Sequence, residues 1–551
     1  MIATVPASSS SAIGRLELDL QRDGRLPSIP RALLAGHDAD LLAPLDPLRP
    51  GSLPARDAPA ASSRAALARA LTVANQSYGH PEAERLGAKL ADPATRVVVT
   101  GQQPGLYGGP LLTLSKLLAA VRWAETIETT TGAPAMAVFW MATEDHDWRE
   151  MARATVVGRD GVETLDLGDD PSPLLPIGMR TFGDGLRDAR ARLEAHYGGP
   201  RAEAGLALLD AAYRPDARFG EAFARLLIGL LGGRAPLLLD AMNTEVKRLQ
   251  RPWLRRLVED RHAVNDALQR AHARVEERGH PLQVTPQPGL SPLFLLRGTR
   301  RQRIAWVGDD FTHFQLRGDD APPEPVEKLL ETIDDNPAVV SPGVLARPAI
   351  QDALLGTTLQ VLGPSELSYM AQAGGVYEAL DLEGPSVTLR PQAMLLTARE
   401  VTQMADHDVD LETLWTQEPE AILAARQGGG AAIAENARGD VLARLDRLAE
   451  EAAALDPNLG GPLGKTRGQI EKAFAQFERK VVDAAARRHE VAHGRLQRLR
   501  DVVLPGGAPQ ERTLSLAHYL LRHGPGFVDA LARLRLDPRR LQALELGGAD
   551  A

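Results

Sequence analysis

The run RVVVT at Arg96–Thr100 places four buriable residues together and meets a glycine before a helical turn could form. It reads as a strand. GQQPGLYGGP follows, with glycines at 101, 105, 108 and 109 that tolerate positive φ or admit a ligand close to the backbone. Pro110 suits a first helical position, and LLTLSKLLAAVRWAE continues as a helix. A second apolar run, Ala135–Ala142, ends in Glu144, Asp145, His146 and Asp147. Strand, Gly-rich turn, helix and strand make a βαβ unit. Both polar clusters lie at strand ends, where open α/β sheets hold ligands.

Further strands are expected at Ala154–Val157, Pro236–Asp240, Pro292–Leu296, Ile304–Val307, Thr358–Leu362 and Val387–Leu389. Helical patterns fill residues 183–232 and 246–278. The alternation predicts an α/β fold, a Rossmann-like parallel sheet core over 96–396 with helical insertions at about 183–280. Residues 1–95 read as a lead-in that packs on this core, with a helix near Ser62–Ser77. From Thr397 strand signals stop. Val441, Leu445, Leu448, Ala452 and Leu455 form a heptad stripe, and Pro457 with Gly460 and Gly461 makes a turn. A second stripe runs through Ile470, Phe474, Phe477, Val481, Ala485, Ala492, Leu496, Leu499 and Val503. The pattern predicts an antiparallel coiled-coil arm over 397–503, a natural dimer contact, and a helical C-terminal segment over 504–551.

The 551 residues suffice for two or three domains. A net charge of -9 argues against nonspecific nucleic-acid binding. No apolar run reaches membrane-spanning length, and the first residues lack a charged and then apolar leader pattern, so a soluble cytoplasmic protein is expected. There is no cysteine, which excludes disulfides, cysteine-ligated zinc and a thiol nucleophile.

Chemistry concentrates in three places. The helix after GQQPGLYGGP starts with free N–H groups, a ready anion site, with Thr113, Ser115 and Lys116 nearby. Its spacing matches neither G-x-G-x-x-G nor the Walker loop, so a tight strand-to-helix turn accounts for it as well. Glu144–Asp147 gathers three carboxylates and an imidazole, which suits a cation or an amine. Strand alternation would turn Glu144 and His146 to one face and Asp145 and Asp147 to the other. Alternatively the stretch is a loop with Asp147 as a helix N-cap. Gly363-Pro364-Ser365-Glu366 follows TTLQVL and makes a second crevice wall with Tyr369, or a helix start capped by Ser365.

Two motifs mislead. His489-Glu490-Val491-Ala492-His493 spells the zinc-protease H-E-x-x-H, with Glu511 a conceivable third ligand, but it lies inside the coiled-coil stripe and reads as a solvated face; no metal site is expected. Gly464-Lys465-Thr466 ends like a Walker loop, yet its upstream glycine position holds Leu459.

TGQQPGLYGGPLLTLSK followed by VFWMATEDHD resembles the bacillithiol-synthesis cysteine-adding enzymes, the BshC family. SPGVLARPAIQDALLGTTLQVLGPSELSYMAQ (341–372) and LPGGAPQERTLSL (504–516) carry the resemblance downstream. Met370 stands where that family has an aromatic and Gly356 where it has proline. The resemblance implies a Rossmann-like core, a coiled-coil domain and a homodimer. It implies a ligase that joins the carboxyl of L-cysteine to the amine of glucosaminyl-malate. An unactivated carboxylate does not condense with an amine at neutral pH, and no enzyme thiol can form a thioester. ATP with Mg²⁺ is therefore the expected activator. On this reading Thr100, Gly101, Gln102, Gln103, Gly105, Gly108, Gly109, Lys116, Arg347, Gln351, Gly363, Glu366, Tyr369 and Arg390 bind substrate or nucleotide. Glu144, Asp145 and Asp147 form the catalytic cluster with His146, Asp145 or Asp147 holding an ammonium and His146 acting as general base. Gln510 and Arg512 mark a second nucleotide site. Two other classes fit the same residues: a nucleotidyltransferase-like enzyme on another small molecule, and a noncatalytic dimeric scaffold.

Overall fold

A computed structural model describes residues 16–42, 53, 59–158, 161–287, 289–426, 430–456 and 459–546. Five strands form an all-parallel sheet: β1 (Arg96–Gln102), β2 (Ala135–Met141), β3 (Leu237–Asp240), β4 (Thr357–Leu362) and β5 (Ser386–Leu389). Their spatial order is β5-β4-β1-β2-β3. All of β2 and β4 is buried, as the continuous apolar runs require of strands covered on both faces. The chain moves outward from β1 through β2 to β3, then returns to β4 on the other side of β1. That reversal opens a crevice at the strands' carboxyl ends.

Two glycines of the GQQPGLYGGP segment are required by packing. Gly101 lies opposite Trp140 in the β1–β2 register, and a Cβ there would sit 2.6 Å from the Trp140 carbonyl oxygen. Gly108 has φ 88° and is wedged between Leu226 and Leu516. The turn folds inward around the Tyr213 hydroxyl, which accepts from the Gly108 N–H at 2.7 Å and donates to the Gly105 carbonyl at 3.1 Å. The helix α1 (Leu112–Thr131) begins two residues later than Pro110 suggests. Pro110 instead bridges to Ser515, and the Leu111 N–H donates to the Leu514 carbonyl.

Every strand expected from the sequence is present, but not all lie in the parallel sheet. Residues 290–297 and 300–307 belong to a five-stranded antiparallel sheet. Their connection is the two-residue loop Gly298-Thr299, with Gly298 at φ 60°, a hairpin signal present in the sequence. Arg153–Gly158 forms a two-stranded hairpin with Gly161–Asp166. The 246–278 pattern splits at Asp260 into helices Thr244–Glu259 and Arg261–Glu277.

The described residues divide into two compact units, 16–398 with 508–546, and 399–507. The described part of the N-terminal segment thus belongs to the sheet unit. There Asn75 plays the part of a neighbouring strand beside β3, bonding the Leu238 N–H and C=O at 2.9 and 2.8 Å. The expectation of a helical C-terminal segment over 504–551 holds for Gln510–Thr513, Leu516–His523 and Phe527–Ala532 and is corrected beyond them. Arg540–Glu545 is a strand, parallel to Gln392–Leu396 and antiparallel to Glu17–Asp19. Its partners lie far away in sequence, so local periodicity could not reveal it.

In the second unit, helices Gly430–Leu455 and Gly460–Val503 pair as the heptads predict. Pro457 lies outside the described residues. Leu496, Leu499 and Val503 are buried, whereas the stripe positions Leu448, Leu455 and Phe477 are exposed in the single chain. His493 pairs with Glu420 at 2.6 Å, and the His489 side chain lies outside the described residues. Gly464, Lys465 and Thr466 lie inside the long helix. No helix among the described residues is long and apolar enough to cross a membrane.

Gly108→Ala should destabilise the sheet unit by roughly 2 kcal/mol or more, since left-handed backbone costs about 1–2 kcal/mol for an L-residue and overpacking adds about 1–3. Urea melts would show it. An unchanged midpoint would mean that the turn is free to relax.

Candidate active site

A cleft of about 630 Å³ opens at the crevice predicted by the strand order. Gly101 and Gln102 end β1, Gln103 follows it, and the three form the floor of the cleft. Glu144, Asp145, His146 and Glu150 come from the segment after β2, and Gly363, Glu366 and Tyr369 from the turn and helix after β4. Since β2 and β4 flank β1, these last two groups stand on either side of the floor. Lys116, Arg347, Arg390, Arg301, Trp140 and Arg512 also line it.

Lys116 is buried, with its Nζ 2.5 Å from the Gly101 carbonyl, 2.6 Å from Glu366 and 3.2 Å from Gln102 Oε1. Glu366 also accepts the Gly363 N–H at 2.6 Å. Burial alone would raise the Glu366 carboxyl, but Lys116, that N–H and Arg347 outweigh it and hold it below the ordinary glutamate range. Lys116 is thus engaged by three acceptors of the protein while it lines the cleft. Glu366 is the third residue of the helix Pro364–Ala379, whose N-cap is Gly363 rather than Ser365. Arg347 donates to the Tyr369 hydroxyl at 2.7 Å and to Gln351 at 2.8 Å. Burial pushes the Tyr369 hydroxyl up to about 12, so it stays protonated.

The β2 side differs from the alternating strand end that the sequence suggests. β2 stops at Met141, and Asp145 and His146 both reach the cleft. Asp145 accepts from Gln103 at 2.6 Å and from the His146 N–H at 2.7 Å. Glu144 pairs with the fully buried Lys247. Asp147 caps the short helix Trp148–Met151 by accepting the Glu150 N–H at 3.1 Å and is not among the cleft-lining residues. Arg301 approaches His146 Nδ1 at 3.2 Å. A guanidinium can only donate, so Nδ1 accepts and the ring proton sits on Nε2.

Two buried donors of the lining, Trp140 Nε1 and Arg390 Nε, find no hydrogen-bond partner among the described residues. The other Arg390 nitrogens hold Glu511 at 2.6 and 2.7 Å, which removes Glu511 from any metal reading. Buried unpaired donors are rare and point to a bound ligand or water.

Residues 52–391 match the family description "Bacillithiol biosynthesis BshC, N-terminal Rossmann-like domain", and residues 429–539 match its C-terminal coiled-coil domain. The chain belongs to the BshC family. It is 32% identical over 520 residues to the protein named "Putative cysteine ligase BshC" of Salinibacter ruber, covering 91% of this chain and 93% of that one. The proteins of the same name from Thermus thermophilus (33% identical, 80% of this chain and 86% of the relative) and Solibacter usitatus (30%, 84% and 85%) are similar in extent.

Within this BshC fold several expected ligand residues take structural work instead. Thr100 donates to the Val361 carbonyl at 2.7 Å and ties β1 to β4. Gly105, Gly108 and Gly109 shape the turn around Tyr213. Gln351 supports Arg347. Gln510 clamps the Leu395 backbone, accepting its N–H at 2.9 Å and donating to its carbonyl at 3.0 Å. Arg512 lines the same cleft rather than a second one. The α1 start is at most a narrow anion site, because Leu112, which lines the cleft, is the one residue of its first turn whose N–H has no backbone partner among the described residues. The N–H groups of Leu111, Thr113, Leu114 and Ser115 all find backbone carbonyls. Sequence reasoning missed Arg301, Glu150 and Lys247. Glu150 was within reach, six residues past Glu144 in the same polar stretch. Nothing local marks Arg301, which arrives from the antiparallel sheet.

Glu366 should make this fold acid-sensitive. A depressed folded-state pKa gives stability that is present above roughly pH 4.3, the usual glutamate value, and is lost as pH falls through the folded pKa. Glu366→Gln should flatten the stability profile in that acid window. An equally steep profile in urea melts across pH would assign the effect to other carboxylates.

Proposed function

We propose that this chain is a cysteine ligase of bacillithiol biosynthesis. It would join the carboxyl of L-cysteine to the amine of glucosaminyl-malate after ATP-dependent activation. The observation that carries the reading is the charge division of the cleft. Asp145 and Glu150, which have no ion-pair partner among the described residues, line the β2 side of the Gln102–Gln103 floor with Arg301 beside His146, and Arg347 and Arg390 line the β4 side together with the Lys116–Glu366 pair. An acceptor with an amine and carboxylates, or an amino acid beside a phosphate, meets complementary groups on both flanks.

Arg347, Arg512 and the unpaired Nε–H of Arg390 suit a carboxylate or phosphate, because arginine matches planar oxyanions. Gln102 and Gln103 orient the substrate, and Asp145 attracts the ammonium. Among the described residues no cluster of three metal-ligating side chains exists. Mg²⁺ would enter with the nucleotide phosphates, its usual mode. A nucleophile on the enzyme is not needed, and the absence of cysteine leaves the substrate thiol without competition. Exposed Leu448, Phe477 and Val491 on the helical arm suit a homodimer contact, and the biosynthetic role suits the cytoplasm.

Mass spectrometry of the purified chain with cysteine, glucosaminyl-malate, ATP and Mg²⁺ tests this. Bacillithiol with AMP is expected, by way of an acyl-adenylate. ADP would replace the adenylate by an acyl-phosphate. Nucleotide transfer to an acceptor without amide formation would favour a nucleotidyltransferase, and no product from folded protein would sink the ligase reading.

A further inference from the structure

Arg301 is as firmly placed as any side chain in the cleft. It is 6% exposed, its Nε donates to Ser341 Oγ at 2.8 Å, and Nη2 donates to the Pro342 carbonyl at 3.2 Å. Its guanidinium lies 3.8 Å from the centre of the Phe294 ring, and the same ring meets the edge of His146. The remaining nitrogen, Nη1, meets His146 Nδ1. Protonating Nδ1 would set N–H against N–H beside a fixed cation. Burial first, then the charge of Arg301 with a share from Arg180, lowers the His146 pKa against the pull of Asp145 and Asp147. The imidazole is thus neutral at physiological pH, with its one proton on Nε2.

The cleft carboxylates are equally unequal. Glu144 is held by Lys247, Glu366 by Lys116, and Asp145 by Gln103 and a backbone N–H. Glu150 has no cation within ion-pair distance among the described residues. It is open to solvent, as a group that meets substrate must be. The surrounding walls, then Asp147 and Asp145, raise its affinity for a proton, while Gln103 and Arg512 oppose them.

We propose that Arg301 fixes His146 as a hydrogen-bond donor to the acyl oxygen, and that Glu150 accepts the proton of the attacking amine. This rests on the ligase reading. After the bound ammonium has released one proton to solvent, the amine nitrogen attacks the carbonyl carbon of the activated cysteine with its lone pair, and the carbonyl π pair moves to oxygen, where the His146 Nε2–H meets it. The Glu150 carboxylate takes the N–H proton. Collapse restores the carbonyl and breaks the bond to the phosphate-bearing leaving group, which departs as an anion with its electron pair. His146 and Glu150 are catalytic residues in this step, and Arg301 is a positioning residue.

Two experiments separate these roles from the alternatives. Imidazole ¹⁵N NMR of the histidine-labelled chain, with His146 assigned by its loss in His146→Gln, should show hydrogen on Nε2 and none on Nδ1 near neutral pH. A proton on Nδ1 would overturn the assignment. Arg301→Met should release the ring to a mixture of tautomers; if that variant does not fold, the wild-type spectrum alone decides. In turnover assays His146→Ala should lose about 10²-fold, as for a removed oxyanion donor. His146→Gln, which keeps an N–H near the Nε2 position, should stay within about tenfold of wild type. Equal losses in both variants would restore the general-base role and refute ours. Glu150→Gln should lose about 10²-fold or more in kcat and abolish the acid limb of the pH profile, with KM little changed. A surviving limb would move the base elsewhere. A wild-type chain that makes no amide would defeat the ligase reading, whereas the tautomer is read without turnover.

Discussion

One buried ammonium organises the catalytic face. The Lys116 Nζ reaches the carbonyl at the end of β1, the side chain of Gln102 and the carboxylate that begins the helix after β4. A lysine ammonium has three donors, and here they bind three points around the place where the sheet reverses direction. Removing one partner of such a buried pair leaves an uncompensated charge, at a cost of about 3–5 kcal/mol. The Gln102–Gln103 floor, the Gly363 turn and, through Gln103, the Asp145 loop all take their positions from it. The cleft is rigid where the two halves of the sheet meet, and its charged walls are built outward from that point.

A second set of contacts comes from the chain's return after the arm. Glu511 receives both terminal nitrogens of Arg390 and the Ala393 N–H, Gln510 clamps Leu395, and Leu514 accepts from Leu111 beside the start of α1. These bonds tie β5's continuation to the opening of the first βαβ unit. They also set Arg512 in the cleft lining, so the site draws on both ends of the sheet unit.

The βαβ unit, the two Gly-rich crevice walls and the paired arm helices were legible because each is written in consecutive residues. Continuous apolar runs mark buried strands, and heptads mark the arm. The antiparallel sheet was partly legible, since two of its five strands were found but their Gly298-Thr299 hairpin was read as part of a parallel series. What local pattern could not provide is partnership at long range. Arg301 meets His146 across 155 residues, Lys247 meets Glu144 across 103, and the strand at 540–545 joins both chain halves. The role of His146 illustrates the difference. Residue type suggested a base, while the neighbour that decides the proton's position lies in another sheet.

The Arg390–Glu511 pair also carries a consequence for synthesis of the chain. The two residues are 121 positions apart, and the whole arm is translated between them. At about 5–20 residues per second, Arg390 waits roughly 6–24 s after its own addition for its carboxylate partner. During that interval the apolar strand Gln392–Leu396 lacks its partners Gln510, Glu511 and Arg540–Glu545. The emerging sheet unit is therefore completed only after the whole arm has been made, whatever the arm's own state, because the closure cost of so long a connection grows only slowly with its length.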